Sequence, residues 1–331
     1  MSVHRFSAFV LISCAGCFDG LLIRPVRTDA PLQETVVTPA DNILVHKKIA
    51  IIDVGGLLLN MRTGSLFAEG TNPVADFREK LDQAADDRSV KAVVLRINSP
   101  GGAVTASDIM WHDVIDFRAE TSKPVVACLM DVAASGGYYL ASGCDRLVAH
   151  PTCVTGSIGV VMSVWNFHGL FEKLGVESES IKSGPNKDLG SPAHPLTDEQ
   201  RGILQAMIDQ FHERFVEVVT RGRPKLSEQA IRMLADGRVY SAAEAEKLGL
   251  VDRIGYLEDA IAEAKALAGI ADAKIVMYAP PAEGRHSIYA SLPRLPAEIN
   301  LLKLNLPGSA EDQGPLFMYL WQPGLTGWGS R

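Results

Sequence analysis

Residues 124–143 read PVVACLMDVAASGGYYLASG, and the fold turns on how that stretch divides. Pro124 to Met130 has the length and β-branched content of a buried strand. Ala133, Ala134 and Ser135 follow, and then Gly136 and Gly137 open a short helix-like run at 138–142. A serine between small residues, where a strand turns into a helix, has its Oγ pushed out of the packed layers. Its neighbours leave room for a substrate backbone, and the helix N-terminus favours developing negative charge. The same residues would also suit a tight packing turn, so the flanking chain has to decide.

Upstream, KIAIIDV (48–54) reads as a strand, and Asn72-Pro73 as a helix start, because Asn caps and Pro suits the first turn. That helix is expected to run to about 86, with Val74, Phe77 and Leu81 on one face. KAVVLRI (91–97) is a second buried strand ending in NSPGG (98–102), a glycine-rich strand-to-helix turn before a helix at 103–118. Strands alternating with helices predict α/β architecture.

Downstream, 146–149 and 159–163 read as short strands with TGSIG (155–159) turning between them. A helix is expected at 165–174, a strand at 179–182, and then the loop SGPNKDLGSP (183–192). Thr197 with Gln200 forms a capping box that opens a long helix to about 221. Its apolar positions Ile203, Leu204, Met207, Ile208, Phe211, Phe215 and Val218 hold helical spacing and read as core. Helices at 227–235 and 242–248 lead into GLVDRIG (249–255). From about 269 the texture changes to seven prolines and scattered apolar residues. Within that irregular tail, PLFMYLWQP (315–323) could be a docked strand, a membrane-proximal patch or a subunit contact.

With 331 residues, 47% hydrophobic and 21% charged, the chain can bury a sizeable core. A net charge of −7 without a basic cluster argues against nucleic acid as a partner. No His/Cys cluster has zinc spacing and no phosphate-cradling glycine motif occurs, so no metal or other cofactor is expected. The N-terminus departs from the rest: one Arg, the apolar run FSAFVLIS (6–13), then Cys14, Ala15, Gly16 and Cys17. That is the layout of an export signal, too short for a comfortable membrane span. Small residues before a Cys also resemble a bacterial lipobox, with Cys17 as the lipidated residue and Cys14 as the competing register. The expected organisation is export signal 1–17, linker 18–45, folded domain 46–268 and Pro-rich tail 269–331. Cys128, Cys144 and Cys153 read as buried small hydrophobes.

An activated serine needs a base, an oxyanion site and exclusion of water. His150, His168, His194 and His212 follow Ser135, but none has an obvious Asp partner, and His150 sits at a strand end before Pro151. Lys187 stands in a Gly/Pro-rich loop rather than on a solvated helix face. A lysine base must be neutral at working pH, which demands an apolar pocket and no close carboxylate, so Asp188 has to point away. Gly101 and Gly102 after a buried strand can bring backbone N–H groups to a carbonyl with no Cβ in the way.

Four ordered motifs, LRINSPGG (95–102), DVAASGGYYLAS (131–142), TGSIGV (155–160) and SGPNKDLGSP (183–192), together resemble the bacterial signal peptide peptidase A family. The likeness covers roughly 48–265 and extends to RVYSAAEAEKLGLVDRIG (238–255). It implies serine–lysine peptidases with the caseinolytic protease/crotonase-like fold, a repeated β-β-α core. It matches Ser135 to the nucleophile, Lys187 to the general base, Ser157 to the hydroxyl that orients the lysine and Gly101 to the oxyanion donor. Pro185-Asn186 stands where that family often has an aromatic before the lysine, and His150 replaces a commonly smaller or amide residue. The resemblance further implies an exported, membrane-associated endopeptidase acting on signal-peptide remnants and other short or unfolded peptides. It would be a homo-oligomeric ring with the dyad shared between subunits. A crotonase-like acyl-CoA enzyme and a non-catalytic membrane scaffold are the competing readings.

Overall fold

Residues 49–52 and 92–95 are buried at every position, as strands covered by helices on both faces must be. They are the centres of β2 (Lys48–Leu58) and β3 (Val90–Ala103), which pair in parallel from Ile49↔Ala92 to Gly55↔Asn98. The computed structural model describes residues 32–61, 72–279, 287–289 and 317–321. Between β2 and β3 lies α1 (Pro73–Asp86), capped as its sequence dictates: Asn72 Oδ1 accepts from the N–H groups of Val74 at 3.0 Å and Ala75 at 3.4 Å.

α2 (Val104–Thr121) returns the chain to β4 (Val125–Ala134), parallel to β3. The short α3 (Gly136–Ala141) then leads to β5 (Arg146–Ala149), parallel to β4. β6 (Val154–Gly156), α4 (His168–Leu174), α5 (Asp198–Gly222) and α6 (Glu228–Leu234) follow. After them come β7 (Val239–Ser241), α7 (Ala242–Lys247), β8 (Arg253–Ile254) and α8 (Leu257–Leu267). With β1 (Gln33–Thr38) and β9 (Lys274–Ala279), the main path of the sheet is β1-β9-β2-β3-β4-β5-β8. β6 branches from β4 and pairs with β7, and β10 (Met318–Leu320) branches from β3.

The period-two pattern sorts the strand residues onto two faces. Ala50, Ile52, Val93, Leu95 and Ile97 join the larger core with Phe77, Met110, Val114 and Tyr138. Ile49, Ile51, Ala92, Val94 and Val126 face the other way, onto Leu257, Ala260 and Ala264 of α8. This is the α/β, caseinolytic protease/crotonase-like architecture expected.

Several boundaries differ from the sequence reading. The stretch read as an 18–45 linker contains β1, and the tail read as irregular from 269 contains β9, which pairs in parallel with β2 and antiparallel with β1. The folded unit therefore exceeds 46–268. NSPGG is not a turn: β3 runs through it to Ala103, because Gly102 lets β2 approach so closely that a Cβ there would lie 2.0 Å from the Leu58 carbonyl oxygen. The strand after β5 is 154–156 rather than 159–163, since that segment finds partners on both sides, Val132–Ala134 in β4 and Val239–Ser241 in β7. Residues 179–182 form no strand, and Ile181 is fully exposed with nothing to pair against. α4 starts at His168, whose N–H is capped by Asn166 Oδ1 at 2.9 Å.

The capping box of α5 is present: Gln200 N–H donates to Thr197 Oγ1 at 3.1 Å, and Thr197 N–H to Gln200 Oε1 at 3.2 Å. Leu204 is buried in its first half, but most of its core lies in the second. Phe215, Val216, Val218 and Val219 are buried, whereas Ile203 is exposed and Met207 and Ile208 are half-buried. The expected export signal, with Cys14 and Cys17, lies outside the described residues. Among the described residues no helix is long and apolar enough to cross a membrane.

Candidate active site

β4 delivers Ser135 into the interior, where the residue is 1% exposed. Its φ of 52° lies where side chains are rarely accommodated, at a cost on the order of 1–3 kcal/mol. Two backbone bonds hold it there. Ser135 N–H donates to the Gly156 carbonyl at 2.7 Å, and the Ser135 carbonyl accepts from Tyr139 N–H at 2.8 Å, the first turn of α3. The glycines after it are there for space: a Cβ on Gly136 would lie 2.4 Å from Ser107 Oγ, and one on Gly137 2.8 Å from the Ser99 carbonyl oxygen. α2 and β3 thus close on the backbone of α3 and keep the strained serine in place.

β6 sets the second serine beside the first. Ala133 pairs with Thr155 and Ala134 with Gly156, so Ser135 and Ser157 are the next residues on two neighbouring strands. Ser157 repeats the strain, with φ 50°, and its N–H donates to the Arg238 carbonyl at 2.8 Å. Thr155 Oγ1 ties the strands together by donating to the Ala133 carbonyl at 2.7 Å. Ser157 borders a cleft of about 310 Å3 whose wall includes Val161, Ile208, His212 and Leu320.

Gly101 also has a conformation suited to glycine, with φ 104°. Its N–H, expected to be a free oxyanion donor, instead donates to Ser99 Oγ at 3.1 Å, and Ser99 Oγ donates to the Gly56 carbonyl at 2.6 Å. A Cβ on Gly101 would meet the Tyr319 carbonyl oxygen at 1.9 Å and Gly136 N at 2.7 Å. The backbones of Gly101, Gly136 and Tyr319 therefore converge on one small space.

Tyr319 belongs to β10, inside the segment that the sequence marks as apolar and extended. β10 runs antiparallel to the NSPGG end of β3, with Tyr319 opposite Gly102 and Leu320 opposite Gly101. Val104 N–H donates to the Phe317 carbonyl at 3.3 Å and Trp321 N–H to the Pro100 carbonyl at 2.8 Å. On the other edge Met318 and Val161 exchange two bonds of 3.0 Å. The Tyr319 ring is fully buried, stacked 4.9 Å from Tyr139 and tilted against Phe215 at 4.7 Å, and its hydroxyl donates to the Phe211 carbonyl at 2.7 Å. Of the docked strand, the patch and the contact, the structure has the docked strand. Its seat beside the glycines could not be read from the sequence, because that seat is a long-range pairing.

Lys187 stands apart. It is exposed in its loop, with its N–H donating to the Gly184 carbonyl at 3.2 Å. Among the described residues no hydrogen bond or ion pair joins it to Ser135 or Ser157. Asp188 pairs with Lys182 at 2.7 Å, and that hydrogen bond holds its carboxyl below the usual carboxylate range. The histidines are employed elsewhere. His150 Nδ1 lies 2.8 Å from Thr152 Oγ1 with its ring edge-on to Tyr256, and His212 Nε2 lies 2.8 Å from the Ala235 carbonyl. Cys128, Cys144 and Cys153 are free and buried, and burial pushes each thiol up to about 12, which makes them poor nucleophiles. Among the described residues no group of His, Cys, Asp and Glu could hold a metal ion.

Comparison with known proteins bears on this arrangement. The pattern of peptidase family S49 matches residues 118–271, a stretch that holds Ser135, Ser157 and Lys187. A candidate signal peptide peptidase SppA from Enterococcus faecium is 36% identical over 246 residues, covering 74% of this chain and 70% of that protein. A candidate protease from Synechocystis is 38% identical over 70% of this chain and 78% of its own length. The chloroplastic serine protease SPPA of Arabidopsis thaliana is 37% identical over 67% of this chain, a match that spans 33% of that longer protein. With likeness of this extent, and a family match that takes in the buried serine at the end of β4, the chain belongs to peptidase family S49, the signal peptide peptidase A family, and is a serine peptidase.

Proposed function

We propose that the chain is a Ser–Lys endopeptidase in which Ser135 is the nucleophile and Lys187 of a second copy is the general base. The observation that carries this reading is the pairing of Ser135 and Ser157 at adjacent strand ends, with Lys187 exposed on a separate loop. His150 and His212 bond to Thr152 and the Ala235 carbonyl, and among the described residues no hydrogen bond joins either to Ser135. Ser135 Oγ attacks the scissile carbonyl, and its proton passes to Lys187 Nζ and then to the leaving amine. Ser157 steadies the lysine. The oxyanion lies against the Gly136 N–H at the head of α3, beside Gly101. Water then hydrolyses the acyl-enzyme and regenerates Ser135.

The substrate is an extended peptide. The gap between Gly101–Ala103 and Val161, now filled by β10, pairs with a strand through its backbone, the recognition mode that accepts varied unfolded sequences. β10 thus stands where a substrate would lie, and the tail limits access until it is displaced. Signal-peptide remnants at a membrane fit that seat, as apolar peptides lacking tertiary structure. Membrane attachment through Cys17, with Cys14 as the alternative, would bring the enzyme to them. A ring of copies supplies each Ser135 with a neighbour's Lys187 and excludes water from the pair. A fluorophosphonate probe tests the nucleophile: it should label the wild-type protein on Ser135 and leave Ser135→Ala unlabelled. Labelling that survives Ser135→Ala would remove this assignment.

A further inference from the structure

At the end of β4 away from Ser135, a hollow of about 220 Å3 opens between α2, the end of α5 and the start of β5. Asp145 on its wall accepts from the N–H of Val125, the first residue of the ten-residue β4. Ser142, which ends α3, lies on the same wall, so at about 1.5 Å per helical residue the hollow comes within ~10 Å of the serine.

The wall carries five cations, Arg118, Arg146, Arg221, Arg223 and Lys225, against two carboxylates, Asp145 and Asp252, in a chain of net charge −7. Both carboxylates are committed. Asp145 takes Arg118 Nε at 3.0 Å as well as the Val125 N–H, and Asp252 takes Arg223 Nη1 and the Leu147 N–H at 2.8 and 2.9 Å. Among the described residues no ion pair is recorded for Arg221 or Lys225, so positive charge remains uncompensated.

Two buried donors share the same wall. Trp111 is 3% exposed and Arg223 5% exposed, yet among the described residues Trp111 Nε1 and Arg223 Nε have no acceptor. Buried N–H groups nearly always find one. The arrangement is built into the backbone, since a Cβ on Gly222 would lie 2.2 Å from the Ser142 carbonyl oxygen. That glycine lets α5 end against α3 and turns Arg223 inward.

We propose that this hollow binds a phosphate-class anion. Its donors come from different elements: an indole N–H from α2, guanidinium groups from the end of α5, and an ammonium from the turn after it. A phosphate presents acceptor oxygens on every side and suits such convergent donors, including the fork of an Arg. A planar carboxylate would satisfy fewer of them. The group belongs to a phospholipid head or to a free phosphate compound.

The test uses the full chain labelled with 15N and follows the Trp111 indole resonance, assigned by Trp111→Phe. Inorganic phosphate is titrated against sodium chloride of equal ionic strength. The resonance should move saturably, and Arg221→Glu with Lys225→Glu should weaken the apparent affinity at least tenfold while leaving peptide hydrolysis unchanged. If that pair disturbs folding, Lys225→Gln alone should weaken it severalfold. Flotation with phosphatidylglycerol or phosphatidylcholine vesicles separates the sources. Flotation specific to phosphatidylglycerol and lost in the double variant assigns a lipid head. A phosphate response with flotation unaltered by the variant assigns a free phosphate. An indole resonance that ignores phosphate, or that responds equally in the variants, overturns the proposal.

Discussion

Deleting residues 315–331 should turn a restrained peptidase into a faster one, and the size of the gain follows from how β10 is held. Besides its ladder with β3, four backbone hydrogen bonds seat it, from Val104, Trp321, Val161 and Met318. At roughly 0.5–1.5 kcal/mol net each, they contribute about 4 kcal/mol. The fully buried Tyr319 side chain adds about 2–3 kcal/mol, and its hydroxyl bond to the Phe211 carbonyl about 1 kcal/mol more. Ordering the five residues 317–321 costs roughly 5 kcal/mol at the low end of the backbone entropy range. The docked state is then favoured by at least about 2–3 kcal/mol, so the seat is open for at most roughly 0.6–3% of the time. A peptide competing for that seat sees its affinity reduced by the same fraction.

Truncation should therefore raise kcat/KM for an unstructured fluorogenic peptide by at least roughly 30-fold, with kcat at saturating peptide little changed. Tyr319→Phe, which removes only the hydroxyl bond, should raise it about fivefold at about 1 kcal/mol. Because Tyr319 also packs in the main core, melting temperature and circular dichroism are recorded for each variant. Unchanged or reduced kcat/KM in a truncated protein that melts normally would refute the reasoning and make β10 a brace. The conservative Tyr319→Phe keeps the question answerable if the truncated chain is unstable.

Ser135→Ala and Ser135→Gly should both abolish hydrolysis, but only the glycine relieves the φ of 52°, so Ser135→Gly should be more stable than wild type by about 1–2 kcal/mol in urea titration. Gly101→Ala would drive a Cβ to 1.9 Å from the Tyr319 carbonyl and should expel β10 or unfold its surroundings, read as a lowered melting temperature. Burial raises the Asp252 carboxyl, but the Arg223 charge and hydrogen bond, with the Leu147 N–H, outweigh it and leave it below the ordinary value. Its contribution is therefore present above the unfolded carboxyl value and lost as pH falls through the folded one, and Asp252→Asn should flatten that acid limb. The same change leaves the buried Arg223 without its partner and should cost about 3 kcal/mol at neutral pH. Co-expressed Ser135→Ala and Lys187→Ala chains should regain part of the activity that each lacks alone, and a mixture with none would place both groups in one chain.

What the sequence disclosed divides by range. β2, β3, β4 and the N-terminus of α1 were legible because continuous apolar runs and an Asn-Pro cap are local signals. β1 and β9 were not. β1 is an exposed edge strand whose place is set by β9, some 240 residues away, and no local pattern encodes that pairing. β6 was misplaced by five residues for the same reason, since its position depends on β4 and β7 together. At the site, small residues around Ser135 and the glycines of NSPGG announced close backbone approach. The occupation of the Gly101 N–H by Ser99 could not be read, because a serine two residues away looks no different from any other.

The two strained serines show how this fold turns parallel pairing into chemistry. Parallel strands bring chain ends of the same sense to one edge, so whatever follows β4 and β6 must emerge side by side. Two positive φ values at successive ends then bend both chains out of the sheet at the same level. The bend is held by bonds that cross between the segments, Ser135 N–H to Gly156 and Ser157 N–H to Arg238. Losing either bond would let a serine relax toward an ordinary conformation and move its Oγ. In the proposed mechanism that stiffness is what a shared site requires: one chain fixes both hydroxyls in advance, so a lysine arriving on a neighbour's loop has a single place to dock. A flexible serine would need the incoming lysine to order both partners at once, at roughly 1–2 kcal/mol of backbone entropy for each further residue fixed.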